Sequence, residues 1–325
     1  MVNDGLQVRG VSVRYGNQVA VDDVTVDVGP GHVLALLGPS GCGKSSLLRA
    51  VVGLEPLAAG QVCWDGEDLA GVRVHKRRFG LVFQDGQLFP TMTVAKNVAY
   101  GLGAFDRIAK RRRVQELLEL VGLPGYGPRK PSELSGGQAQ RVALARSLAP
   151  SPRMILLDEP LSALDSALRR RLAEDLARIL RETGTTAVYV THDQEEAFTV
   201  ADSVAVMDEG VILQRDAPDV LWNRPRNRTV ASFLGFRTFV DGGTAAALGW
   251  DGHLADGEVL GIGPRSLDLD RAGVPVRVKR QSMNVDHFVI TVELPDGQEA
   301  TVAAPRKTKE PEIRVILTSG AVTPA

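Results

Sequence analysis

The run Gly38-Pro39-Ser40-Gly41-Cys42-Gly43-Lys44-Ser45, followed by Ser46, combines residue types suited to holding phosphate. Glycines let backbone N–H groups turn inward around phosphate oxygens, and a helix starting here adds partial positive charge at its N-terminus. Lys44 can then reach the β- and γ-phosphates of a nucleotide, and the Ser45 hydroxyl can ligate Mg²⁺. Cys42 reads as a small residue whose backbone N–H does the binding, because nothing nearby can resolve a disulfide. A second group comes after the apolar run Ile155-Leu156-Leu157. Asp158 at the end of such a strand is placed to hold Mg²⁺, usually through water, and Glu159 can orient and deprotonate an attacking water. A third is Leu134-Ser135-Gly136-Gly137-Gln138. Ser135 and Gln138 have capping-box spacing, and a capped helix start with two glycines also presents free amides to an anion.

Elements must position these groups. Val33-Leu34-Ala35-Leu36-Leu37 is apolar at every position, as in a strand buried on both faces of a parallel sheet. Ser45 to Val52 reads as a short helix closed by Gly53. Between Pro90 and Ala149 the pattern is helical, with Val114, Leu117, Leu118 and Val121 on one stripe. The run Lys110-Arg111-Arg112-Arg113 on that helix reads as a solvated face. Met154 to Leu157 and Ala187 to Val190 are further buried strands, separated by an amphipathic helix through Leu168, Leu172, Leu176, Ile179 and Leu180 that Gly184 stops. Strand, helix and strand in alternation predict a parallel sheet with helical crossovers, and ligands collect at the carboxyl ends of its strands. After about Gly235 the texture changes to short alternating segments, with Pro295-Asp296-Gly297 set for a hairpin. The division expected is therefore 1–235 and 236–325, the second part small and all-β.

Composition bounds the function. Lys plus Arg number 38 against 39 Asp plus Glu, so no basic excess points to nucleic acid. Two cysteines make no disulfide scaffold, and the longest apolar run is far too short to span a bilayer.

Taken together, and in this order along residues 6–235, the motifs resemble an ATP-binding-cassette (ABC) ATPase of the bacterial importer type. They are the glycine loop at 38–45, Gln84 in Val82-Phe83-Gln84-Asp85, Leu134-Ser135-Gly136-Gly137-Gln138, Asp158-Glu159, the Ser162-Ala163-Leu164-Asp165 loop, and His192 in Val190-Thr191-His192-Asp193. The resemblance implies an α/β P-loop fold with a parallel-sheet core, an antiparallel β subdomain, a helical subdomain and a small β-rich, oligonucleotide-fold-like (TOBE) regulatory domain.

It also implies roles. Tyr15 matches the aromatic residue that stacks on adenine. Ser45, Gln84 and Asp158 match the Mg²⁺ site, and Gln84 also touches the attacking water. Glu159 matches the general base and His192 the switch residue at the γ-phosphate. Ser135, Gly136, Gly137 and Gln138 match the segment that binds ATP held by a second copy of the chain, and Asp165 the loop that crosses between copies. ATP and Mg²⁺ are then the cofactors, and a head-to-tail homodimer the working form.

Leu88-Phe89-Pro90-Thr91-Met92-Thr93-Val94 with Asn97-Val98 resembles the importer segment that cups a permease helix. The implied partners are transmembrane permease subunits and, indirectly, a periplasmic or lipid-anchored binding protein, with the chain peripheral on the cytoplasmic face of the plasma membrane and no nucleic acid bound. The stretch Asp85-Gly86-Gln87-Leu88-Phe89-Pro90 is most similar to the iron(III), thiamine and quaternary-amine group, near the polyamine ATPases. Thr91 stands where His is frequent, and Gly261-Ile262-Gly263-Pro264-Arg265 lacks the Arg and Glu of the tail's Arg-Pro-Glu element. The other function class is a soluble ABC ATPase in regulation or nucleic-acid repair; adjacent permease genes would decide against it.

Overall fold

The computed structural model describes residues 5–83, 87–103, 105–284 and 287–325. Gln84 and the Asp85-Gly86 pair lie outside the described residues. The chain divides into two compact units, Met1–Pro218 and Asp219–Ala325.

The centre of the first unit is a six-stranded sheet. Its order is Val211–Asp216, Ser203–Asp208, Val33–Leu37, Thr186–Thr191, Met154–Asp158, Phe79–Val82. All neighbours are parallel except the first pair. Side chains alternate across a strand, and both faces here are covered, which is why these runs carry no polar alternation. Leu34, Leu36, Leu156, Val188 and Val190 point into one core with the helix Lys44–Val52 and a four-stranded antiparallel sheet. Ile155, Leu157, Ala187 and Tyr189 point into the other, shared with helices Arg107–Leu120, Gly136–Leu148 and Ser166–Thr183.

The expected parallel sheet, antiparallel subdomain and helical subdomain are thus all present. Gly53 closes the helix Lys44–Val52 in the left-handed conformation (φ +89°), and Gly184 does the same for Ser166–Thr183 (φ +57°). Among the described residues no helix is long and apolar enough to cross a membrane.

The second unit has a three-stranded and a four-stranded antiparallel sheet, with Phe288–Glu293 and Glu299–Ala304 forming the hairpin expected around Pro295-Asp296-Gly297. Its core includes Val240, Leu260, Val292, Val302 and Val315. The compact division falls at Pro218, ahead of the Gly235 boundary read from texture. The helix Arg228–Phe233 belongs with the β unit: Phe236 N–H donates to Ala231 O at 3.0 Å and Arg237 N–H to Ile262 O at 3.2 Å. The Trp222 and Phe236 rings pack 4.8 Å apart. Helical turns occupy much of 219–235, which therefore lacks the period-two alternation of the strands beyond Gly235.

Candidate active site

The glycine loop leaves the strand Val33–Leu37 and enters Lys44–Val52, the context its spacing requires. Gly43, at the N-cap, has φ +104°, and a Cβ there would lie 2.1 Å from Ala20 O. No other residue type fits. At Gly38 a Cβ would lie 2.1 Å from Met207 O. Lys44 is buried, and its Nζ donates to Gly38 O and Pro39 O, each at 2.8 Å. The ammonium is therefore centred in the loop, held by carbonyls that a phosphate would displace. Burial pushes the Cys42 thiol up despite the nearby Lys44 charge, which fits a packed small residue and not a reactive thiolate.

Ser45 Oγ donates to Asp158 Oδ1 at 2.7 Å, joining the glycine loop to the end of Met154–Asp158. The next carboxylate faces elsewhere: Glu159 Oε2 lies 3.2 Å from His192 Nδ1. An open cavity of about 440 Å³ is lined by Tyr15, Ser40, Gly41, Gly43, Lys44, Ser45, Ser46 and Glu159, a volume in the range of small-molecule sites. The Tyr15 hydroxyl lies 3.4 Å from Ser46 Oγ at its edge.

The donor set at Ser45 and Asp158 is hydroxyl plus carboxylate, hard oxygen ligands that suit Mg²⁺. Among the described residues no group of three or more His, Cys, Asp or Glu could hold a metal.

Residues 134–138 do not line this cavity. Ser135 is the N-cap of Gly136–Leu148: Gln138 N–H donates to Ser135 Oγ at 3.4 Å, and Ser135 N–H donates to Gln138 Oε1 at 3.0 Å. The capping box is formed, with Ser135 and Gly136 exposed and Gly137 buried. The single chain thus holds two helix ends of the anion-binding kind, and they do not share one pocket.

A family description, ABC transporter, matches residues 21–162. An Fe(3+) ions import ATP-binding protein of Streptomyces coelicolor is 49% identical over 276 residues, covering 83% of this chain and 79% of the relative. The chain belongs to the ABC transporter family. A sulfate/thiosulfate import ATP-binding protein of Caulobacter vibrioides is 41% identical over 93% of both chains. Among solved structures, a dimeric ATP-binding cassette in a post-hydrolysis state, bound to ADP and Pi, matches with a TM-score of 0.59 and 30% identity, over 66% of this chain and 98% of that one. This ABC ATPase accordingly binds and hydrolyses ATP.

The structure of the ABC ATPase brings together Tyr15, the glycine loop, Ser45, Ser46, Asp158, Glu159 and His192, which are far apart in sequence. It sets Asp165 as the N-cap of Ser166–Thr183, its Oδ1 accepting from Leu168 N–H at 3.0 Å. Gln84 lies outside the described residues, but Arg146 of the helix Gly136–Leu148 donates to Gln87 O at 2.8 Å, just downstream. The turn at Glu209-Gly210 also lines the cavity and is one that motif reading misses. Gly210 N–H donates to Cys42 O at 3.0 Å and Asp22 N–H to Gly210 O at 2.9 Å, so this turn buttresses the glycine loop from behind. Its only signal is a Gly after a charged strand end.

Proposed function

We propose that this ABC ATPase works as a head-to-tail homodimer, each ATP held between the glycine loop of one copy and residues 134–138 of the other. The observation that supports this most is the separation within one chain of the cavity at 38–46 from the capped helix start at Ser135. A γ-phosphate in one chain is enclosed on one side only, and a second copy supplies the missing amides and hydroxyl.

In this reading Tyr15 stacks on adenine, and Lys44 and the loop amides hold the β- and γ-phosphates. Ser45 and Asp158, with Gln84, would hold Mg²⁺, which when bound neutralises charge on the phosphate oxygens. Glu159 orients water for in-line attack and accepts its proton, while His192, 3.2 Å away, fixes the carboxylate and faces the γ-phosphate. Ser135, Gly136, Gly137 and Gln138 act across the interface, and Asp165 lies where the copies meet. ATP closes the pair, and hydrolysis with phosphate release opens it again.

The movement drives import through transmembrane permease subunits, with the chain peripheral to the membrane and a binding protein delivering cargo. Both the Streptomyces coelicolor and the Caulobacter vibrioides relatives are import ATP-binding proteins, and the Fe(3+) relative is the more similar in identity. Iron(III) is therefore the first cargo to test, by uptake of labelled iron in a strain lacking this chain.

The decisive variant is Glu159→Gln. It should retain ATP binding, lose hydrolysis by a factor of about 10² or more, and run as a dimer in ATP on size-exclusion chromatography. Hydrolysis at the normal rate would falsify the assignment of the base.

A further inference from the structure

One partly buried charged cluster lies outside the cavity at 38–46. It lies directly behind His192 and centres on Arg169, in the first turns of Ser166–Thr183. Arg169 Nη2 donates to Leu164 O at 2.8 Å, the carbonyl just before Asp165. Its Nη1 donates to Asp193 Oδ2 at 3.2 Å, the residue just after His192. Its buried Nε lies 3.5 Å from Glu196 Oε1, at ion-pair distance without hydrogen-bond geometry.

Glu196 is itself buried, and its Oε2 accepts from Tyr189 Oη at 2.5 Å and Thr191 Oγ1 at 2.8 Å. Thr191 Oγ1 in turn accepts from Asp193 N–H at 3.0 Å, and Asp193 Oδ1 accepts from Glu196 N–H at 3.1 Å. His192 is thus flanked by two residues whose polar groups are both committed to this cluster, while its own ring is half exposed and meets Glu159. One guanidinium spans the loop ending at Asp165 and the turn carrying His192.

We propose that Arg169 is the positioning residue for His192, tying the His192 turn to the Asp165 loop so that a shift of the loop reaches the histidine. This rests on the reading of His192 as the residue at the γ-phosphate. Glu196 is buried and Arg169 is half-buried with its Nε enclosed, and neither lines the cavity at 38–46, so the pair does not serve nucleotide binding. A buried carboxylate is costly unless paired, so Glu196 holds Arg169 in place as firmly as Arg169 holds the turn. Arg is the residue suited to this task, because its planar fork donates to Leu164 O and Asp193 Oδ2 at fixed angles while its charge faces Glu196, a geometry a single ammonium does not reproduce. The 162–165 loop is where the dimer reading places a second copy. A change at that interface therefore has a short, charged path to His192, and the pair Glu159–His192 is set only when the loop is set.

The experiment uses the full chain with ATP. Arg169→Ala should lower kcat on the order of 10–100-fold, the scale of a misplaced group near the reacting atoms, with KM for ATP within about twofold, because the nucleotide's own contacts are untouched. Arg169→Lys should recover part of kcat. His192→Ala should impair hydrolysis, and adding Arg169→Ala to it should lower kcat no further, since Arg169 acts through the histidine.

If the two substitutions multiply, Arg169 does not act through His192 and the proposal falls while the reading of His192 stands. If His192→Ala hydrolyses ATP normally, both fall. Should Arg169→Ala fail to fold, Arg169→Lys and Glu196→Gln carry the test: wild-type kcat in both, with unchanged melting temperatures, overturns the proposal.

Discussion

Glu159 has φ +45°, in the left-handed region that residues with a Cβ seldom occupy. Its N–H donates to Val190 O at 3.0 Å and its carbonyl accepts from Ser162 Oγ at 3.0 Å, so the surroundings impose a conformation that costs about 1–2 kcal/mol. The reversal has a use. Asp158 completes the strand toward Ser45, and the very next carboxylate turns to His192. Glu159→Gly removes the strain and loosens the unfolded chain by about 0.5–1 kcal/mol, leaving a net gain of roughly 0–1.5 kcal/mol. We therefore expect the glycine variant to melt slightly higher than the native chain while hydrolysing no ATP. A melting temperature below the native value would show that the strain is not stored at this residue. The residue types of the site were legible in the sequence, since the glycine loop and the Asp-Glu pair carry their chemistry in short spacings. The backbone sign at Glu159 and the Arg169 cluster were not, because each is set by partners tens of residues away.

Secondary-structure elements repeat this contrast. Strands Val33–Leu37, Met154–Asp158 and Thr186–Thr191 were readable because burial on both faces favours apolar side chains along almost their whole length. The sheet order, with Thr186–Thr191 between the other two, comes from tertiary packing that no local pattern encodes. The helix Gly136–Leu148 is the element whose local reading is double. Ser135 both caps it and, in the dimer reading, offers its hydroxyl to a partner's nucleotide. The two roles separate by substitution. Ser135→Ala loses the cap and should cost about 1 kcal/mol, a drop of about 2–4 °C in a unit of this size. Ser135→Gly keeps most of the capping preference, costing only about a few tenths of a kcal/mol, yet it removes the hydroxyl. The glycine variant should melt close to the native chain and still need several-fold more ATP to dimerise when combined with Glu159→Gln. Dimerisation at the native ATP concentration would leave Ser135 with the cap alone.

At the scale of the whole molecule, the position of the boundary decides what can be cut away. The two cores of the first unit draw only on residues up to about 212, and the core of the second begins at Val240. Between them, Leu221, Val230, Ala231, Leu234 and Phe236 are all buried, with Ala231 and Phe236 joined by a backbone hydrogen bond and Arg237 bonded to Ile262 within the β unit. A chain ending at 236, one residue past the division read from texture, strips the strands from those side chains. Exposed, five such residues form an apolar patch of the kind that drives association. A chain ending at 218 leaves no such remnant and retains the glycine loop, Asp158, Glu159, His192 and the helix start at Ser135. We expect the 1–218 chain to be soluble and to hydrolyse ATP within a few-fold of the full chain, and the 1–236 chain, with the same catalytic residues, to aggregate on concentration. Light scattering and hydrolysis on the matched pair measure both. If 1–236 stays monodisperse while 1–218 aggregates, residues 219–236 are part of the first unit's fold and the boundary belongs near Gly235 after all.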